Sequence, residues 1–301
     1  MKKLIFFLIC TFVSLDLYAT AQIPDKIVYQ GKIVDLLGSP LEFHPNREQF
    51  TPEKLFNAQG CFFTACWRGY VATWSVENDE LYLLQIRNAC YPTPQGDVVA
   101  SYKSTGDKPG SEYADLKKLF GGEDQHGKIF AGWYSGELYM PQGPLVYYVH
   151  DGFQSSYSKE LKLQIQNGII TSKEVCDNSK SHEVNYSEPE WQNKIYSAIH
   201  WDILPADTIK RVIVVFSGNE EGVIDSIEVR RSGGDLYDQE AVKAIKALPG
   251  TIRYVHGKFV RTKWTMPVNF NNRMRKTYST GRPATTKNFT LPDTKEGKYY
   301  Q

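Results

Sequence analysis

The chain has 301 residues, 41% of them hydrophobic and 23% charged, with a formal net charge of +1 at neutral pH. That balance is globular and lacks the basic footprint of a nucleic-acid-binding protein or of one drawn to an anionic membrane surface. The 19 Tyr, 15 Phe and 6 Trp favour half-buried strands, because aromatic side chains pack well on a pleated surface.

In chain order, Met1-Lys2-Lys3 is a short cationic start, followed by an apolar run over residues 4–13. A bilayer needs about 20 apolar residues, so the run is too short to span. Ala19-Thr20-Ala21 puts small residues where a signal peptidase reads. Residues 1–21 are therefore expected to be a signal peptide, with the mature protein starting at Gln22 in the periplasm. No later segment is apolar for long enough to span, so no transmembrane helix is expected in the mature chain.

Residues 22–171 read as a β-rich, mostly antiparallel domain, a sheet or flattened barrel. Residues 26–36 look like one strand, and Glu53-Lys54-Leu55-Phe56 like a helical turn. The clearest element is a hairpin over 67–89 around Glu77-Asn78-Asp79, with Tyr70, Ala72, Trp74 and Val76 facing Tyr82, Leu84 and Ile86. Sharing a face pairs Val76 with Glu80, Trp74 with Tyr82, Ala72 with Leu84 and Tyr70 with Ile86. A short helix over 115–120 and strands over 128–139, 144–149 and 160–170 follow.

The register of that hairpin also sets Cys66 opposite Cys90. Four cysteines survive removal of the signal, Cys61, Cys66, Cys90 and Cys176, and an even count in an exported chain favours disulfides. A Cys66–Cys90 bridge is expected, which leaves Cys61 and Cys176 as a residual pair. Zinc is the competing reading, but no Cys-x2-Cys or His-x3-His spacing occurs, so no metal or other cofactor is assigned. His150-Asp151-Gly152 has the chemistry of a base at a strand end without a Gly-x-Ser-x-Gly partner, and a turn explains it as well. No catalytic residue is assigned.

Residues 172–189 are polar and read as a linker. A helix over 191–200 follows, with Ser187 as its cap and Pro189 just inside. Val212-Ile213-Val214-Val215-Phe216 is a short β-branched run that reads as a strand buried on both faces. After a turn over 218–222, residues 223–229 pair back on it with Val223, Ile227 and Val229 on one face. A helix over 238–248 carries Ala241, Val242, Ile245 and Leu248 at helical spacing and stops at Pro249-Gly250. Residues 263–270 are extended again, with Trp264, Met266, Val268 and Phe270 on one face and Pro267 marking an edge strand. The tail over 271–301 has seven Lys or Arg against two acids and no apolar period, and is expected to be disordered.

The order strand, strand, helix, strand over 190–270, with Glu221-Gly222-Val223 in the hairpin and Met266-Pro267-Val268-Asn269-Phe270 at the close, resembles the C-terminal domain of TonB-like proteins. The fold class implied is α+β: a β-rich N-terminal domain plus a small β-β-α-β domain. The resemblance implies a periplasmic, cell-envelope protein-binding module that docks on an outer-membrane transporter by adding a partner strand. Lys263, Trp264, Thr265, Met266 and Val268 are its expected contact residues. The alternative is an exported hydrolase whose active site lies in the N-terminal domain without a sequence motif.

Overall fold

A computed structural model describes residues 21–57, 64–91, 112–121, 127–206 and 209–279. The protein is an α+β structure with more strand than helix, and the chain divides into two compact units after Asp177. Residues 1–20, which hold most of the expected signal peptide, lie outside the described residues, as does 280–301 of the expected tail.

The first unit contains β1 (Asp25–Tyr29), β2 (Lys32–Leu36), α1 (Pro52–Phe56), β3 (Tyr70–Glu77), β4 (Glu80–Asn88), α2 (Leu116–Phe120), β5 (Ile129–Phe130), β6 (Gly136–Pro141), β7 (Leu145–Tyr147), β8 (Ser156–Tyr157), β9 (Lys159–Gln166) and β10 (Ile169–Asp177). Its main sheet runs β2-β1-β3-β4-β10-β9-β6, antiparallel except for β1 beside β3. The two end strands meet where Leu37 bridges Tyr139, the Leu37 N–H donating to the Tyr139 carbonyl at 2.8 Å. The sheet thus curls into a flattened barrel filled by Ile27, Leu36, Trp74, Leu83, Met140 and Leu163.

Turn chemistry accounts for most departures from expectation. Residues 26–36 are a hairpin rather than one strand, because Gln30 and Gly31 both take positive φ, 50° and 75°. The β3–β4 loop is the two-residue Asn78-Asp79, with φ of 51° and 62°, a geometry that matches the twist of the flanking strands. It pairs Glu77 with Glu80 and Val76 with Leu81, one place off the expected register. A bulge then leaves Leu84 unpaired, so that Thr73 meets Gln85, Trp74 meets Leu83 and Tyr70 meets Asn88. The face of β4 turned to the core therefore carries Leu81, Leu83 and Ile86 rather than Tyr82 and Leu84. Asn167-Gly168 makes a third such turn, with φ of 49° and 80°. It ends the strand expected over 160–170 early and, at Ile169, starts β10, which runs on into the expected linker.

The rest of that linker is not loose chain. Asn178 and Val184 are buried, His182 bridges Ile252, and the Tyr186 hydroxyl donates to the Pro249 carbonyl at 2.8 Å. These residues belong to the second unit, with α3 (Pro189–Ser197), β11 (Lys210–Gly218), β12 (Ile224–Arg231), α4 (Asp235–Lys246), β13 (Tyr254–Val255), β14 (Lys258–Phe259), β15 (Lys263–Phe270) and α5 (Asn272–Tyr278). Glu188, not Ser187, stands at the N-cap of α3. The sheet order is β12-β11-β15. Val212, Val214 and Phe216 of the central strand join Ile195, Ala241, Ile245, Val268 and Phe270 in one core. Ile213 and Val215 are only half-buried, so β11 alternates like a strand covered on one face rather than on both. The first residues of the expected tail form α5, where the Asn271 side chain accepts the Met274 N–H at 3.0 Å.

Candidate functional site

The β11–β15 ladder runs through eight consecutive pairs, from Lys210 with Phe270 to Ser217 with Lys263, without a shift. The β11–β12 ladder shifts twice and the β9–β10 ladder once. Bulges bend a strand and twist its edge away from a flat partner, so β15 is the straightest of these three edges. Among the described residues no strand pairs with its other side.

The direction of each backbone group on β15 follows from one hydrogen bond. The Asn269 N–H donates to the Tyr196 hydroxyl at 3.2 Å, so it points away from β11. Successive residues of a strand alternate, which turns the backbone of Lys263, Thr265 and Pro267 outward as well. Pro267 has no N–H to give, and that of Asn269 is taken. Among the described residues the open row therefore offers two free donors, at Lys263 and Thr265.

Of the five residues expected to contact a partner, only Lys263 and Thr265 meet this description, and both are exposed. Val268 is fully buried and Met266 nearly so. Trp264 is half-buried with its ring 5.3 Å from that of Tyr186, and its Nε1 is buried without a hydrogen-bond partner among the described residues. The backbones of these three face β11, because core-facing side chains and ladder-facing amides share the even positions here. The corrected contact row is Lys263, Thr265, Pro267 and Asn269. Period-two alternation could have separated the two sets; nothing in the sequence marks Tyr196 as a cap.

Beside the row lies the open face of the sheet, where Val215 sits across from Thr265 and Ile213 across from Pro267. Arg211 donates from Nε to the Asn269 amide oxygen at 2.7 Å. Arg261 holds Asp225 with both terminal guanidinium nitrogens, Nη1 to Oδ1 and Nη2 to Oδ2, the latter at 3.0 Å. That hydrogen bonding from Arg261 keeps the Asp225 carboxyl below its ordinary range. Residues 209–279, the segment that holds this edge, carry 13 Lys or Arg against 7 Asp or Glu.

The cysteine expectations are overturned. Cys66 and Cys176 are free and buried, while Cys90 is disulfide-bonded. Neither a Cys66–Cys90 nor a Cys61–Cys176 bridge forms, and both Cys61 and the partner of Cys90 lie outside the described residues. The ladder explains the first failure. With Tyr70 opposite Asn88 the two cysteines are out of register, and Cys66 sits in a turn where Gly69, at φ 70°, donates to its carbonyl at 3.0 Å. Its thiol lies 3.4 Å from the Tyr70 carbonyl, and burial pushes its pKa up.

The most buried charges belong to the first unit. Asp25, fully buried, accepts from Arg68 Nη2 at 2.8 Å, from Trp74 Nε1 at 3.0 Å and from the Ala72 N–H at 3.1 Å. Burial pushes its carboxyl up while Arg68 and the donors oppose that. No face of the carboxylate is open to a ligand, and the set joins β1 to β3. His150 is exposed, its Nδ1 2.8 Å from the Tyr148 hydroxyl. Among the described residues no three His, Cys, Asp or Glu are grouped to hold a metal, and no helix is long and apolar enough to cross a membrane. Compared with known protein families, with curated proteins and with solved structures, the chain has no match.

Proposed function

We propose that this protein is an exported, periplasmic binding protein of the cell envelope, and that its second unit takes up a segment of another envelope protein as an added strand on β15. The observation that supports this reading is the unbroken β11–β15 ladder whose far side leaves Lys263 and Thr265 unpaired among the described residues. Strand addition draws its affinity from such a row of N–H and C=O groups and its specificity from alternate side chains. The half-buried Ile213 and Val215 beside the row give those side chains an apolar floor. The resemblance of residues 190–270 to TonB-like C-terminal domains makes an outer-membrane transporter the partner to look for.

The test is Thr265→Pro. Because the Thr265 N–H faces away from β11, proline there removes a donor from the open row and leaves the ladder whole. The variant should fold, and its yield of the envelope protein that co-purifies with the wild type should fall at least about tenfold. A folded variant that retains the wild-type yield shows that β15 is not the contact. A variant that does not fold shows that the donor was used within the sheet.

A further inference from the structure

The four-residue row on β15 is cut short at one end by two unrelated devices. Pro267 supplies no donor, and Tyr196 covers the next one, at Asn269. Tyr196 is itself held. Its ring stacks on Tyr278 of α5 at 5.4 Å, and the Tyr278 hydroxyl donates to Asn193 Oδ1 at 2.8 Å. Arg275 of α5 donates to the carbonyls of Leu204 at 2.9 Å and Pro205 at 2.8 Å, and to that of Trp201. A seven-residue helix is too short to persist alone, so these contacts fix α5, and α5 fixes Tyr196 over the strand end.

We propose that Tyr196 and Pro267 form a stop that ends the pairing stretch of β15 after Thr265. This rests on the strand-addition reading above and deepens it: the stop sets the register of the incoming strand, because only the Lys263–Thr265 half offers it both donors and acceptors, the Pro267 end offering carbonyls alone. It also guards the free protein. A straight edge with four regularly spaced donors would pair with a second copy of itself, whereas a two-donor row that carries the charge of Lys263 holds such a pairing weakly. The net positive charge of residues 209–279 adds like-charge repulsion between copies.

The test needs no partner. In the full chain, Tyr196→Phe removes one hydroxyl from a buried ring. Amide exchange at Asn269 should quicken by about fivefold while that at Met266 and Val268 stays as in the wild type, in keeping with the loss of one local hydrogen bond. Combining Tyr196→Phe with Pro267→Val restores the four-donor row. Sedimentation should then show self-association at least about tenfold tighter than wild type, and adding Thr265→Pro to the pair should abolish the gain. Unchanged exchange at Asn269 in Tyr196→Phe would overturn the proposal. So would a double variant that associates no more than wild type, or whose association ignores Thr265→Pro. Failure of Thr265→Pro alone to weaken partner capture would sink the strand-addition reading without altering any of these results.

Discussion

The two units of this chain treat the edges of their sheets in opposite ways. In the first, the sheet curls until β2 and β6 meet at Leu37 and Tyr139, and closure removes edges. What stays open there, the length of β10 beyond Ile170, follows a bulge and carries Lys173 paired to Asp79 and Glu174 near Lys162. In the second, a three-stranded sheet keeps β15 straight and its outer row unpaired. Charge divides the same way: residues 22–177 have 14 Lys or Arg against 19 Asp or Glu, and residues 178–301 have 19 against 14. The contrast teaches that an open edge is not a default of this sequence, since the same chain closes or charges its edges elsewhere. An edge kept straight and unpaired is a feature to be explained by what pairs with it.

That contrast can be broken most severely in the first unit. Arg68→Met leaves the Asp25 carboxylate buried without its counter-ion, and breaking a buried pair in this way costs about 3–5 kcal/mol. Denaturant unfolding followed by amide exchange should show the barrel strands opening at lower denaturant while β11 and β15 keep their wild-type protection. A loss spread equally over both units would mean that they do not unfold as separate bodies.

A smaller effect is expected at the turn that begins β10. Gly168 has φ of 80°, and a Cβ there would meet the Ala131 carbonyl oxygen at 2.8 Å. Gly168→Ala should therefore destabilise the first unit by about 1–3 kcal/mol through backbone strain, read as a lower denaturation midpoint with the second unit unchanged. The smallest effect belongs to the exposed Arg261–Asp225 pair. Asp225 has its carboxyl lowered in the folded protein by Arg261, so its contribution is present above the ordinary aspartate range, near pH 4. It is lost as pH falls through the lower folded value. Arg261→Met should flatten that acid-side slope in the second unit and leave the first unit's slope as it was; an identical pH profile would remove the pair from the account.

Much of the fold was legible where one period dominates. The alternation of Trp264, Met266, Val268 and Phe270, the helical spacing of Ala241 and Ile245, and the edge position of Pro267 all follow from side-chain geometry that needs no tertiary information. Register was not legible, because it depends on single residues in turns. Asn78-Asp79 sets a two-residue loop and Leu84 is pushed out of the ladder, and these two displacements separate Cys66 from Cys90. Alkylation in denaturant without reductant should accordingly modify Cys66 and Cys176 and spare Cys90; modification of Cys90 would contradict the bonding described here. The candidate site was legible only by half. Sequence spacing finds the strand, but which of its amides face outward depends on its register with β11, and the donor at Asn269 is covered by Tyr196, 73 positions away and brought there by α3 and α5.

If β15 presents Lys263 and Thr265 as free donors, amide hydrogen exchange along this one strand in the native protein will show it. Exchange should be rapid at Lys263 and Thr265, strongly slowed at Trp264, Met266 and Val268 in the ladder with β11, and intermediate at Asn269 beneath the Tyr196 hydroxyl. Protection of Lys263 and Thr265 as strong as that of Met266 would mean that the outer row is already paired in the free protein, and would contradict the account.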